Sequence, residues 1–232
     1  MFMRCVTCGL LLTALTISTS LRILANMSTS VLQYDHYEID DFFYLQTPQI
    51  SHIFSASLVG YAIAQPIYMI FLSDKRSPKR VIIGVIISES LLILLLPLAA
   101  GHSKTASTVI RFLIGAAEGF ALPSANVVAT TWIPLIERVS HIAVYSCAYQ
   151  ISFGGVQYIS SLLRNVGMSS PLIFYGAGIA GLLSLVALAF LLSDSPEQSR
   201  WISEREMEYI KSNNLNQSYE ILPVPWRDLS LC

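Results

Sequence analysis

Apolar residues fall in six long runs, at 5–32, 50–72, 81–100, 107–132, 142–163 and 171–192, and polar positions gather in the short connections between them. Each run is close to the roughly 20 residues with which a helix crosses a bilayer. The pattern predicts an all-α, polytopic membrane protein. Met-Phe-Met-Arg before the first run also fits a signal peptide, but the apolar segment continues past Arg22 to Leu32 with no small-residue cleavage site, which favours a span. After residue 192 the chain turns polar. In ISEREMEYIK, Ser203 stands as an N-cap with Glu206 three residues on, a capping box that predicts a short amphipathic helix over 203–211. LPVPWRDLSLC, at 222–232, has two prolines and no packing period and reads as a linker. The chain thus divides into a membrane unit, 1–192, and a polar segment, 193–232.

The fourth run and its sequel, RFLIGAAEGFALPSANVVATTWIPLIER at 111–138, departs from simple apolarity. On an unbroken helix Glu118 falls about 20° from Arg111, and Asn126 about 60° from it on the other side, so the three share a face. Roughly ten apolar residues at a few tenths of a kcal/mol each do not clearly outweigh an Arg and a Glu at roughly 2.5–3.5 kcal/mol each. This polar stripe needs a bundle interior or a watery cavity to face, and intramembrane charges usually mark a substrate or ion pathway. Pro123 is expected to kink the span and free backbone carbonyls beside the stripe.

Composition agrees with the pattern. The chain is 53% hydrophobic and 12% charged, with a mean hydropathy of +0.58, far more apolar than a soluble domain. Its net charge of −1 and the scatter of its cations in short clusters argue against a nucleic-acid partner. With a cytoplasmic amino terminus, ten cations fall inside (Arg4, Lys75, Arg76, Lys79, Arg80, Arg138, Arg200, Arg205, Lys211 and Arg227) and only Lys104 and Arg164 outside. That asymmetry places both termini in the cytoplasm.

Several motifs have plainer readings. SDKRSPKR, at 73–80, is a topology signal, or, because Asp74 stands beside Lys75, Arg76, Lys79 and Arg80, a salt-bridged latch between neighbouring helices. GAGIAG, at 176–181, matches a dinucleotide fingerprint but lies inside an apolar run with no strand before it. Its small residues, like Gly115 and Gly119, fit close helix packing. The sequons at Asn26 and Asn216 fall in a span and on the cytoplasmic side. Cys5 and Cys8 form a CxxC without a second pair, Cys147 and Cys232 stand apart, and the four histidines sit singly. No nucleophilic, metal-ligand or cofactor constellation appears, which argues against an intramembrane enzyme. Arg22 and Arg111 are set against Glu89 and Glu118. Either they form structural ion pairs, or the arginines offer their planar forks to a carboxylate or phosphate while Glu118, desolvated, exchanges a proton. Glu89 has no motif around it and reads as structural.

The fourth-span sequence resembles that of the anion:cation symporter family of the major facilitator superfamily, which includes sialin, the vesicular glutamate transporters, the type I sodium–phosphate cotransporters and the plant anion transporters. GYAIAQPIYMIFLSDKRSPKR resembles that family's second span and signature loop, PLIFYGAGIAGLL its sixth span, SDSPEQSRWISEREMEYI the opening of its central loop, and PVPWRDL the approach to a seventh span. The resemblance implies a six-helix, three-plus-three inverted-repeat half of a twelve-span fold. It implies anion binding at Arg22 and Arg111, coupling to H+ or Na+ through Glu118, and cytoplasmic loop positions at Asp74, Lys75, Arg76, Lys79 and Arg80, with Glu137 and Arg138 in a second loop. Asn126 stands where sialin and the glutamate transporters carry histidine and plant members asparagine. Ser77-Pro78 replaces the loop's glycine, and Glu137-Arg138-Val139-Ser140 replaces Glu-Arg-Ser-Arg. The implied partners are an anionic small molecule, the bilayer, and a second half or another copy of the chain; the alternatives are a non-transporting subunit that regulates a full-length relative and a homodimerising half-transporter. No organic cofactor is implied.

Overall fold

The computed structural model describes residues 2–35, 47–72, 77–199 and 202–215, and within them every regular element is helical. The helices are α1 (Phe2–Asp35), α2 (Thr47–Ile67, continued by a π-helical turn, Tyr68–Leu72), α3 (Pro78–His102), α4 (Lys104–Gly119), α5 (Ala121–Trp132), α6 (Leu135–Asn165), α7 (Ser170–Leu191) and α8 (Glu204–Leu215). Among the described residues, four stretches are long and apolar enough to cross a membrane: Met3–Met27, Pro78–Ala100, Thr105–Trp132 and Pro171–Leu191. The runs expected at 50–72 and 142–163 are also helical, within α2 with its π turn and within α6. On α6 the polar Tyr149, Gln150, Ser152 and Gln157 dilute the apolar character.

Local chemistry explains the breaks. Pro123 has no N–H for the carbonyl four residues back, and its ring crowds that carbonyl, which belongs to Gly119. The fourth run accordingly splits at Phe120, whose N–H turns back to Ala117 O at 3.1 Å. The kink expected from Pro123 therefore falls one turn before it. Pro66 inside α2 precedes the π turn for the same reason. The buried Tyr68 of that turn packs against Phe120 with ring centres 6.3 Å apart, so the two irregularities meet. Between α3 and α4, Ser103 both ends one helix, donating its N–H to Ala99 O at 3.0 Å, and caps the next, accepting from Thr105 N at 3.2 Å.

Packing is densest where side chains are smallest. α2 lies along α4, with Gly60 of α2 against the backbone of Phe112 and Ala116, and Gly115 against the backbone of Ser57; a Cβ on Gly119 would stand 2.6 Å from that of Ala64. α7 approaches α3 in the same way, Gly178 against Leu94 and Gly181 against the hydroxyl of Ser90, so GAGIAG is a packing surface. α1 packs on α6, where the Thr19 and Ser152 hydroxyls share a 2.7 Å hydrogen bond.

The bundle interior is layered. One apolar cluster gathers Leu11, Leu15, Ile82, Ile86, Val128, Trp132 and Leu188, and a second Leu21, Leu24, Ile93, Leu96, Ile114 and Phe174. Between the two clusters lie buried polar residues of four helices: Ser18 on α1, Glu89 and Ser90 on α3, Glu118 on α4 and Ser152 on α6. Large apolar side chains that face away, such as Ile70, Leu98, Leu183 and Phe190, suit a lipid surround.

At the end of the bundle formed by the amino terminus, several polar contacts gather the helices. Asp194, just past α7, accepts from Lys79 N at 2.7 Å and from the Ser77 hydroxyl, capping α3, while Lys79 Nζ donates to Ala189 O at 2.7 Å. Trp132 Nε1 donates to Ser193 O at 3.0 Å. Glu206 of α8, where the capping box predicts a turn back on Ser203, instead takes the N–H groups of Met3 and Arg4 at 3.4 and 3.0 Å, and so caps α1. Arg4 reaches Glu137 at 3.1 Å and lies 4.6 Å from the centre of the Tyr209 ring. Burial alone would raise the Glu206 carboxyl, but the bonds from the α1 backbone outweigh it and hold the group below the usual glutamate range.

Two outcomes follow from these contacts. Gly115→Leu is expected to destabilise the bundle by about 1–3 kcal/mol through backbone collision, read as a lower midpoint of thermal unfolding in detergent, whereas Gly154→Ala, with open space around it, leaves the midpoint unmoved. A carboxyl held below its ordinary value stabilises at pH above the unfolded value of about 4.3 and ceases to as pH falls through the folded one. Hydrogen-exchange protection of α8 is therefore full at neutral pH and lost on acidification below the ordinary glutamate range, and Glu206→Ala lacks that protection at either pH.

Candidate functional site

Arg22 points from α1 into the polar layer, and its Nε is ion-paired with Oε2 of Glu118 in the last turn of α4. Both are buried, 7% and 3% exposed. The guanidinium carbon lies 5.1 Å from the centre of the Tyr61 ring on α2 and 5.9 Å from that of Tyr149 on α6, close enough for the ring faces to attract the cation. Four helices thus converge on one positive group. A lone cation or carboxylate at this depth would be too costly to keep, and pairing removes most of that cost.

The pair forms part of the wall of a cavity of about 210 Å³, which Ser18, Tyr61, Asn126 and Tyr149 also line. Asn126 reaches it from α5 and is exposed. Arg111, 2% exposed and two turns before Glu118 on α4, is buried beside the second apolar cluster and is not among the residues lining this cavity. Glu89 is fully buried and accepts a 2.8 Å bond from the Ser18 hydroxyl. The sequence pattern pointed to the charges but not to Tyr61 and Tyr149; a tyrosine on an apolar helix carries no sign of the cation it will meet.

Of the loop positions, Asp74, Lys75 and Arg76 lie outside the described residues. Lys79 binds the end of α7 as described, and Arg80 is exposed, its N–H 3.4 Å from Ser77 Oγ. Glu137 belongs to the Arg4–Tyr209 contact, with Tyr209 OH donating to it at 3.3 Å, and Arg138 Nη2 donates to Thr130 O at 3.2 Å. Asp194, just past the end of α7, joins that helix to the start of α3, and the sequence pattern did not single it out. Among the described residues no three His, Cys, Asp or Glu side chains gather to hold a metal.

Comparison with known proteins places this bundle. The family model described as Major Facilitator Superfamily matches residues 4–231. The chain belongs to that superfamily. Within it, the similar curated proteins are of the anion:cation symporter group. "Probable anion transporter 3, chloroplastic" of Arabidopsis thaliana is 30% identical over 161 residues, 69% of this chain and 31% of that protein. "Sialin" of Homo sapiens is 30% identical over 180 residues, 75% of this chain and 35% of its own length. The chain therefore spans about a third of the length of the curated relatives it matches. These relatives are transporters rather than enzymes. Among solved structures, a bacterial homologue of the human lysosomal transporter Spinster, in an inward-facing, unoccupied conformation, superposes with a TM-score of 0.65 at 19% identity, over 83% of this chain and 44% of that one. At that identity the likeness shows the fold.

The buried pair yields a stability test. Arg22→Ala leaves Glu118 without its cation and is expected to cost about 3–5 kcal/mol, while Arg22→Met with Glu118→Leu recovers most of the loss. A double variant no more stable than Arg22→Ala in thermal unfolding would show that the two residues act separately.

Proposed function

We propose that these residues form one six-span half of a secondary transporter of organic or inorganic anions, phosphate or carboxylate in kind, with both termini in the cytoplasm. The observation that carries the reading is the buried Arg22–Glu118 pair on the wall of a cavity. An anion entering that cavity competes with Glu118 for the guanidinium fork. When it succeeds, Glu118 loses its partner in a poorly solvated place and takes up a proton, or exchanges its charge against Na+, so that anion and cation move together. Arg22 is then the first anion contact and Glu118 the coupling acid. Arg111 supplies a second positive group once the helices rearrange, and Asn126 is a neutral hydrogen-bonding wall residue.

The helix packing supports the three-plus-three reading. If α1, α2 and α3 are exchanged with α4–α5, α6 and α7, the packing of α2 on α4 maps onto that of α6 on α1, α3 on α4 maps onto α7 on α1, and α3 on α7 maps onto itself; all of these contacts are present. Halves of the superfamily are built on such inverted repeats, with the site between two halves. Asn126, Ser146 and Tyr149 line the cavity from exposed positions, where a second half would cover them. These 232 residues by themselves are therefore expected not to transport.

Liposomes loaded with the purified chain and given an imposed proton or sodium gradient are expected to take up no phosphate or carboxylate. Gradient-driven uptake that disappears in Arg22→Ala would overturn the need for a second half. In a twelve-span protein carrying these residues, Arg22→Ala and Arg111→Ala are each expected to abolish uptake. Undiminished uptake in both would overturn the anion-binding role.

A further inference from the structure

Glu89 has a place that the transport reading above does not use. It sits on α3 with no exposed surface, in the same layer as the Arg22–Glu118 pair. One carboxyl oxygen accepts from Ser18 at 2.8 Å, and the other has no hydrogen-bond partner among the described residues. The charged groups that act on it are Glu118 of α4 and Arg22 of α1. The other helices packed on α3 add none here, since α5 and α7 contain no Asp, Glu, Lys, Arg or His. Arg111, the other cation of α4, lies two turns further along that helix beside the second apolar cluster.

The layer therefore holds two acids for one cation. A second carboxylate, unpaired and half unsatisfied in the bundle interior, would be prohibitively costly, and a buried acid in that position keeps its proton instead. We propose that Arg22, Glu118 and Glu89 form a site of one cation, two acids and one proton, in which Arg22 neutralises one acid at a time and the proton resides on the other. In the arrangement seen, the charge pair is Arg22–Glu118 and the proton is on Glu89. If Arg22 shifts its pairing to Glu89, that carboxyl releases its proton and Glu118 takes one up, so the layer remains neutral with the same number of protons. Ser18 holds Glu89 in either state, since its hydroxyl can donate to a carboxylate or to the carbonyl oxygen of the neutral acid. In the transport cycle, which is where this idea rests on the reading above, Glu89 gives Arg22 a second neutral resting partner.

Infrared spectroscopy of the 232-residue chain in lipid at neutral pH tests the site without requiring transport, because a protonated carboxyl has a carbonyl stretch that shifts in heavy water and ionised surface acids do not contribute there. The wild-type chain is expected to show one such band, and Glu89→Gln to lose it. Glu118→Gln, which leaves Glu89 as Arg22's sole acid in the layer, is expected to lose it too. Arg22→Gln, which leaves both acids unpaired, is expected to roughly double it. A band that survives Glu89→Gln, or one that Glu118→Gln leaves unchanged, would overturn the proposal. Circular dichroism of each variant shows whether the helices are retained, and the wild-type band decides by itself whether a neutral acid is present. Undiminished anion uptake by both Arg22→Ala and Arg111→Ala in a twelve-span protein carrying these residues would sink the transport reading and leave these bands as they are.

Discussion

A charge inside a membrane must have a partner, and that requirement fixes where α1 and α4 meet. Arg22 and Glu118 lie far apart in sequence and on helices that are otherwise apolar at this depth, so neither helix is comfortable until the other arrives. Once they are joined, the polar groups of α1, α3 and α4 fall into one layer between two apolar clusters. The layer separates the two greasy ends of the bundle. Tyr61 and Tyr149 complete the surroundings of the cation with ring faces, which attract it without adding a charge to be neutralised in turn.

The close crossing of α2 and α4 makes that geometry possible. Gly60, Gly115 and Gly119 let the two backbones nearly touch, which brings Tyr61 to the guanidinium. A Cβ at any of the three would push the helices apart and loosen the cation's surroundings. The interruption at Phe120 follows within one residue of Gly119, so the helix runs unbroken only as far as Glu118 and Gly119 and then turns. A fully regular helix would have carried Asn126 round to the stripe of Arg111 and Glu118. The broken one brings it to the wall of the cavity that Glu118 also lines, without Arg111.

At the end of the bundle that holds the amino terminus, short polar segments rather than apolar area join the helices. Asp194 ties α7 to the start of α3, and Glu206 ties α8 to the start of α1. Both use the same device, a carboxylate placed on the unpaired N–H groups of a helix N-terminus. Such contacts are directional and few, and they can be released without unpacking a core. The glycine-lined crossings in the middle, by contrast, bring backbones into direct contact and cannot part without losing that packing.

Much of this was legible in the linear sequence. Apolar runs of bilayer length, the Arg and Glu that interrupt them, the small residues that mark close packing and the proline that breaks the fourth span are all local properties, set by hydrophobic transfer, backbone geometry and side-chain size. They determined the all-helical membrane class and the identity of the charges that matter. Other features depended on which helices lie side by side. The choice of Arg22 rather than Arg111 as Glu118's partner, the tyrosines over the guanidinium, the capture of Glu206 by α1 and the meeting of Glu89 with Ser18 each join residues remote in sequence, and no periodicity within a single helix encodes the partner across the gap. The sequence by itself determined that buried charges would need company, because the bilayer leaves them no alternative. Only the packing of α1 against α4, with α2 drawn close to α4 by their glycines, decided which company they keep.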